Sequence, residues 1–280
     1  DNFGNPSSIH MSGRQSKIII EEARKIIAKG LGASTGEIFF TSGATESNNM
    51  AILCSVRDLG IERIISSKIE HHCILHTLDY IQENNLAEVV YLDVDQDGHI
   101  SHTGLEKLLS GSSKKTLVSL MHVNNEIGTI LDIEKVSEIV QAHGQLFHCD
   151  TAQSITKIPI DLSKTKIAFI SGAPHKFFGP KGIGFIYINS NNIINPMFYG
   201  GSQERGLRSG TENIYGIAGM AKAFELGLAE YEERKKSISK IKNHFISRLP
   251  EIGDVSINGD PDTSLYNILS LSFPLSYKMD

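Results

Sequence analysis

The chain has 280 residues, of which 40% are hydrophobic, enough for one large domain or for one domain and part of another. The net charge of −5 and the pI near 6.1 argue against a nucleic-acid-binding surface, and no run of 18 apolar residues predicts a membrane span. Three cysteines without a spacing pattern fit a reducing compartment, so we expect a cytoplasmic protein.

Helical and strand-like patterns alternate along the chain. The predicted helices are 16–29, 45–57, 72–84, 105–109 and 133–143, and the predicted strands between them are 63–66, 88–92 and 116–122. Asp132 is the expected N-cap of the last of these helices, and Gly144 is its expected stop. Strands that alternate with helices predict an α/β fold whose sheet is largely parallel.

A Ser/Gly/Thr turn joins a short strand to a helix in IFFTSGATESNNMAIL, residues 38–53. Gly43, Ala44 and Thr45 fall where the helix begins, and the free backbone N–H groups there favour an anion such as a phosphate. The segment contains neither a GxxxxGK(S/T) P-loop nor a GxGxxG fingerprint. An ordinary helix start capped by serine or threonine explains the same residues equally well.

An aspartate ends the strand in QLFHCDTAQ, residues 145–153. The apolar residues deliver Asp150 to the carboxyl end of the strand, and Gln153 follows three residues later. Ligands of open α/β sheets bind beyond these ends. An aspartate that faces a pyridine nitrogen keeps that nitrogen protonated, so the ring can accept electrons from a carbanion. A loop cap is the alternative role for Asp150.

A lysine lies in the loop APHKFFGPKG, residues 173–182, between apolar runs 166–170 and 182–188. This pattern predicts strand, loop, strand, and the second strand predicts at least one antiparallel edge. Lys176 in that loop can form an imine with a carbonyl cofactor if its ammonium group loses a proton easily, which burial and a neighbouring cation both favour. A solvated lysine is the alternative.

Three histidines, His71, His72 and His76, lie close together in sequence. His72 and His76 are four residues apart on a predicted helix, but no HExxH motif accompanies them. We therefore predict no metal site.

Seven ordered blocks, which span nearly the whole chain, resemble the cysteine desulfurases of the NifS/IscS group. These enzymes form part of the class V aminotransferase branch of pyridoxal-phosphate (PLP) enzymes. The blocks are FGNPSSIH (3–10), FTSGATESNN (40–49), EHH (70–72), HVNNEIG (122–128), HCDTAQ (148–153), HKFFGPKGIG (175–184) and RSGTEN (208–213).

The resemblance implies the PLP-dependent transferase fold type I, an α/β fold with a mostly parallel mixed sheet flanked by helices and part of a smaller second domain. A long helical pattern over 210–249 matches the segment that joins the two domains in the family. We therefore expect residues 1–248 to form the large PLP-binding domain and residues 249–280 to begin the small one. We also expect the chain to be truncated at both ends relative to the family.

The same resemblance assigns roles to individual residues. Lys176 would hold PLP covalently and move protons, Asp150 would pair with the pyridine nitrogen, and His71 would stack on the ring and act as an acid–base group. The residues implied to contact the ring oxygen or the phosphate are Asn125, Gln153, Ala44, Thr45 and His175. Thr211 would reach the phosphate of the other protomer, which implies a homodimer.

One position inside the implied phosphate site departs from the family pattern. Ala173 stands where the family usually has a serine, so one hydroxyl donor is missing. A hydrogen bond to a charged group contributes about 1.5–3 kcal/mol, so we expect weaker PLP retention or a substitute donor such as Ser171.

The implied reaction converts L-cysteine to L-alanine and passes the sulfur to an enzyme cysteine that we expect to be absent from this chain, for iron–sulfur cluster or other thio-cofactor synthesis. Sulfur-acceptor or scaffold proteins are the implied partners. Cys54, Cys73 and Cys149 match none of the family's sulfur-accepting positions, and we interpret them as structural. The alternatives are another class V PLP enzyme, such as a selenocysteine lyase or an aminotransferase-type relative, and a non-catalytic scaffold protein with this fold.

Overall fold

A seven-stranded sheet organises residues 3–274, the part of the chain that the computed structural model describes. The strands are β1 (Ile38–Thr41), β2 (Arg63–Ser67), β3 (Glu88–Leu92), β4 (Thr116–Met121), β5 (Leu146–Asp150), β6 (Phe169–Gly172) and β7 (Gly184–Ile188). Their order is β1-β7-β6-β5-β4-β2-β3, and the pairs from β6 to β3 are all parallel. The predicted α/β fold with a mostly parallel mixed sheet is confirmed.

Helices cover both faces of this sheet. They are α1 (Met11–Gly30), α2 (Ala44–Leu59), α3 (His72–Glu83), α4 (His102–Ser110), α5 (Ile133–Ala142), α6 (Ile214–Ala229) and α7 (Tyr231–Arg248). The side chain of Asp132 accepts the Lys135 N–H, which confirms it as the N-cap of α5. The apolar faces of α1, α4, α5 and α6 share one core cluster, and those of α2 and α3 share another.

Successive strand residues enter opposite cores, as the pleat requires. Ile64 and Leu117 pack with α2 and α3, whereas Ile65 and Val118 pack on the opposite face. Because both faces of the inner strands are buried, these strands contain consecutive apolar residues rather than an alternating pattern, and they are recognisable in the sequence as short apolar runs.

The expected antiparallel edge of the large sheet is confirmed. β7 is antiparallel to both of its neighbours, β6 and β1, and β1 forms the edge. A Cβ added to Gly184 would approach Gly43 Cα to 2.6 Å, so this glycine lets β7 begin against the start of α2. The edge position is taken by β1, whose pairing with β7 joins distant parts of the chain.

The C-terminal helical pattern is broken. A turn at Glu230 separates α6 from α7, so the predicted single stretch over 210–249 is two helices. After α7 ends at Arg248, a two-stranded antiparallel sheet forms from β8 (Ser256–Asn258) and β9 (Ser270–Ser272). The division into domains at 248 stays a prediction, and residues 275–280 of its second part lie outside the described residues.

The outer edge of β1 is covered by an ion pair. Arg24 and Glu204 form two hydrogen bonds of 2.8 Å, and both side chains are almost fully buried. Glu204 Oε2 also accepts the Phe40 N–H at 2.8 Å, and the Ile38 carbonyl accepts from Arg24 and Arg205.

Over residues 3–274, no helix combines the length and the apolar character needed to cross a membrane.

Candidate active site

A cavity of about 530 Å³ opens at the carboxyl ends of β4 and β5, beside the start of α2 and the loop after β6. The structure brings most of the predicted site residues together here: Ala44, Thr45, His71, Asn125, Asp150, Gln153, His175 and Lys176 line this cavity. Thr211 does not line it and is exposed in this single chain. The position of the cavity agrees with the general rule for parallel sheets.

The start of α2 faces this cavity without a side-chain cap. Its N-cap is Gly43, so the alternative of an ordinary serine or threonine cap is wrong. A Cβ added to Gly43 would meet nothing within 4 Å, which means that the backbone here borders open space. Uncapped N–H groups at a helix start attract anions, and His175, Lys176 and Lys181 line the same cavity. This combination suits a phosphate group.

Asp150 is buried at the end of β5 and is 6% exposed. Its Oδ1 accepts the Ala152 N–H at 2.9 Å and its Oδ2 accepts the Asn48 amide at 2.7 Å, so it caps its own turn but has a further partner as well. Burial raises the pKa of this carboxyl, while the two hydrogen bonds and the charges of His71 and Lys176 oppose that rise. Both hydrogen-bond donors are neutral, so a ligand that brings a protonated ring nitrogen suits this carboxylate.

The Asn48 side chain continues into a buried polar chain. Its Oδ1 lies 3.2 Å from His148 Nε2, and His148 Nδ1 lies 2.9 Å from Ser119 Oγ. Burial lowers the pKa of His148 to about 3, so its imidazole is neutral. Ser171 is buried on β6 with its Oγ 3.5 Å from His148 Nε2, and it does not line the cavity. The expectation that Ser171 replaces the missing hydroxyl at Ala173 is therefore wrong.

His71 is held at its Nδ1 atom. It is the N-cap of α3, where Nδ1 accepts the Cys73 N–H at 3.2 Å and lies 3.1 Å from Cys73 Sγ. Burial raises the pKa of Cys73 to about 11, which keeps this residue a thiol at neutral pH. Cys54 and Cys149 are fully buried in the two cores, as their structural interpretation requires.

Lys176 lies on the 3₁₀ turn Pro174–Lys176 after β6 and is exposed. Its burial, one of the two conditions for easy proton loss, is therefore not met by this chain alone. Burial, and then the charge of Lys176, lower the pKa of the nearby Lys157 to about 8. Lys157 Nζ donates to Gln153 Oε1 at 3.3 Å, which orients that side chain beside the cavity.

The RSGTEN segment is docked on the start of α2. Arg208 donates to both carboxylate oxygens of Glu46, at 2.9 and 3.2 Å, and Glu46 also accepts the Ser42 N–H. Thr211 belongs to this docked segment, although its side chain faces solvent here. The ion pair therefore fixes the segment beside the helix start that we expect to bind an anion.

Sequence reasoning missed Glu70, the first residue of the EHH block. Glu70 is 5% exposed, its Oε1 accepts from Ser67 Oγ at 2.7 Å, and Oε2 has no partner within residues 3–274. Burial and then the charge of Asp150 raise the pKa of this carboxyl to about 8. Asn48 and His148 were missed as well, although all three stand inside the quoted blocks. For Asn48 in α2 and His148 in β5, a polar residue within a predicted helix or strand was the available signal, whereas Glu70 lies in the bend between β2 and α3.

The histidine cluster does not form a metal centre in the part of the chain described. The rings of His72 and His76 lie 5.5 Å apart, and no set of three His, Cys, Asp or Glu residues within 3–274 is arranged to hold a metal ion.

Comparisons with known proteins agree with this geometry. The family model described as aminotransferase class-V matches residues 1–278. A cysteine desulfurase IscS from Dictyoglomus turgidum is 42% identical over 98% of this chain and 69% of its own length. A putative cysteine desulfurase IscS 1 from Bacillus subtilis is 41% identical over 97% of this chain and 72% of its own length.

Two solved structures of named proteins are also similar to this chain. A NifS-like protein superposes with a TM-score of 0.93 at 40% identity, covering 98% of this chain and 75% of the other. SspA in complex with cysteine superposes with a TM-score of 0.87 at 36% identity, covering 98% of this chain and 77% of the other.

Proposed function

The chain belongs to the aminotransferase class V family, and we propose that it is a PLP-dependent cysteine desulfurase that takes the sulfur from L-cysteine and leaves L-alanine. The cavity in which Lys176, Asp150 and the uncapped start of α2 meet supports this proposal most directly. When bound, PLP supplies an aldehyde for covalent attachment and a ring that accepts electrons. The solved relative that contains cysteine supports cysteine as the substrate.

The residues around the cavity fit such a cofactor in charge and in hydrogen-bonding capacity. The backbone at Ala44 and Thr45, with His175, would hold the phosphate. Asp150 would hold the proton at the pyridine nitrogen, and this positive charge would favour the ionised form of its buried carboxyl. Asn125 and Gln153 would hydrogen-bond the ring oxygen, and His71 would lie against the ring face.

Lys176 would attach the cofactor through its amine and then move the proton at the substrate α-carbon. Thr211 would reach the phosphate of a partner protomer, so we propose a homodimer. The sulfur would pass to a cysteine thiolate and then to an acceptor protein, in a reducing compartment such as the cytoplasm. Cys54 and Cys149 are buried, and Cys73 remains protonated, so none of the three suits that transfer.

Borohydride reduction of the PLP-loaded protein, followed by peptide mass spectrometry, tests the assignment. We expect one labelled lysine, Lys176, and, in a full-length protein that supplies the sulfur-accepting cysteine, alanine release from cysteine. Lys176→Ala should abolish the label, whereas Lys181→Ala, a change in the same cavity, should retain it on Lys176. A label on another lysine would disprove the assignment, and a protein that neither binds PLP nor releases alanine would disprove the proposed function.

A further inference from the structure

Asn48 connects two parts of the candidate site that are otherwise separate. It lies on α2, is fully buried and contacts groups from two other elements. Its Nδ2 donates to Asp150 Oδ2 at 2.7 Å and to Cys73 Sγ at 3.3 Å, while its Oδ1 lies 3.2 Å from His148 Nε2. One amide group thus contacts both the end of β5 and the start of α3.

The chemistry of these neighbours determines which way the amide points. An ionised Asp150 only accepts hydrogen bonds, so the NH₂ group of Asn48 must face it. The amide oxygen then faces His148, which has to donate from Nε2. His148 Nδ1 consequently accepts the Ser119 hydroxyl at 2.9 Å. Each donor in this buried chain therefore has one acceptor, which is the arrangement that makes a buried network rigid.

The second branch of the network reaches His71. Because Cys73 Sγ accepts from Asn48, its S–H is available for His71 Nδ1, 3.1 Å away. The Cys73 N–H points to the same nitrogen. With two donors at Nδ1, the neutral ring carries its proton on Nε2, the nitrogen left for a ligand in the cavity.

We propose that Asn48 is a positioning residue whose amide simultaneously holds Asp150 in its ionised form and His71 in its Nε2–H tautomer. This role rests on the proposed function, in which Asp150 and His71 are the groups that contact the cofactor. Asn48 itself does not line the cavity, so its effect on the reaction is exerted through these two side chains.

Other charged groups also act on Asp150 and must stay constant in a test. Glu70, when it is ionised, repels its negative charge, whereas Lys176, and His71 when it is protonated, attract it, and the Ala152 N–H donates to it. A change at Asn48 leaves all of these groups in place. The shift in Asp150 titration that follows from such a change therefore measures the contribution of the amide.

The test compares three variants of the full chain. Asn48→Ala removes the amide, and Asn48→Asp keeps its shape but replaces the donor with a second acceptor. Asn49→Ala is the matched control, because among residues 3–274 the neighbouring Asn49 amide bonds only to Thr45 O, Thr77 Oγ1 and Cys73 O. Carboxyl carbon-13 NMR, assigned with Asp150→Asn, follows the titration of Asp150 without PLP, and nitrogen-15 NMR reports the His71 tautomer.

We expect the Asp150 midpoint in Asn48→Ala to rise by about one to two pH units, the effect of one lost hydrogen bond to a charged group. His71 should become a mixture of tautomers, and PLP should bind about ten- to a hundredfold more weakly. Asn48→Asp should raise the midpoint further, since two carboxyls then share one site. Asn49→Ala should change none of these values.

An Asp150 midpoint and a His71 tautomer that both stay unchanged in Asn48→Ala would overturn the inference. If Asn48→Ala does not fold, the near-isosteric Asn48→Asp decides the question by the same measurements. Failure of the proposed function gives a different result, because the parent protein would then not bind PLP even though the Asp150 midpoint still responds to Asn48.

Discussion

The floor and the rim of the cavity are built in opposite ways. The floor, by which we mean Asp150 together with Asn48 and His148 beneath it, is buried, and each side chain has hydrogen-bond partners within the chain. The rim, His175, Lys176 and Lys181, is exposed. The chain alone therefore fixes the groups that set ionisation, while the groups that would attach and contact a cofactor keep conformational freedom.

Burial explains this difference. A polar group in the floor loses water and must find its partner inside the protein, so its orientation is restricted to one arrangement. A rim lysine retains water and loses about 2 kcal/mol of rotamer entropy when it is held in place. The rim side chains are thus ordered when a ligand binds, whereas the floor side chains are already ordered in the chain alone.

Replacing Asp150, which belongs to the floor, should have the largest effect on the reaction while leaving the rim unchanged. Asp150→Ala removes the carboxylate that would hold the ring-nitrogen proton, and we expect alanine formation from cysteine to fall about a thousandfold. PLP labelling at Lys176 should persist, because the rim is unchanged. A cofactor analogue with a permanent positive charge at that nitrogen should partly restore turnover. Near-normal turnover in Asp150→Ala with ordinary PLP would refute the role.

Glu70 tests whether a buried carboxyl near the floor lowers the free energy of unfolding when it ionises. Its pKa of about 8 exceeds its ordinary 4.5, so the folded state binds more protons than the unfolded state between these values. The free energy of unfolding should therefore fall as pH rises from about 4.5 to about 8. Glu70→Gln should remove this fall and stabilise the protein on the order of 3 kcal/mol at pH 7.

Urea unfolding at several pH values measures the Glu70 effect. Glu88→Gln is the control, because Glu88 forms an exposed ion pair with Lys114 and should not flatten the pH dependence in this range. An identical slope in Glu70→Gln and the parent protein would show that Glu70 is ionised in the folded state.

Arg208, which holds the RSGTEN segment to the rim side of the site, should give the smallest effect. Its ion pair with Glu46 is partly exposed, so Arg208→Ala should cost about 1 kcal/mol in the free energy of unfolding. Arg208→Lys keeps the charge but loses the two-pronged contact and should recover about half of that loss. A loss as large as the stability change expected for Glu70→Gln would show that this ion pair contributes as much to the free energy of unfolding as a buried contact of the floor.

The sequence predicted the fold well because the signals were local. The strand 88–92 and the N-cap Asp132 depend on neighbouring residues only, and both are confirmed. The antiparallel edge is confirmed as well, but its identity was not predicted, because it depends on the pairing of β7 with β1, which lies far away in sequence. The break at Glu230 was also missed, since both flanking segments have helical patterns.

The candidate site was predictable where residues stand at strand ends or helix starts. Asp150 and Lys176 were found in this way, and they line one cavity. Asn48 was not found, because its importance arises only when α2, β5 and α3 meet. Whether Lys176 is buried or solvated was left open by the sequence, because loop exposure is decided by neighbouring segments rather than by the motif itself; in this chain it is exposed.

The ion pair on β1 has a consequence for how the sheet can grow. Glu204 and Arg205 have φ values of 46° and 58°, a left-handed conformation that costs non-glycine residues free energy. This strained turn aims both side chains at the free N–H and C=O groups of β1 and occupies the hydrogen bonds that an incoming strand would need. Strand addition is thereby blocked at β1, and edge-to-edge association of the large sheet is confined to β3.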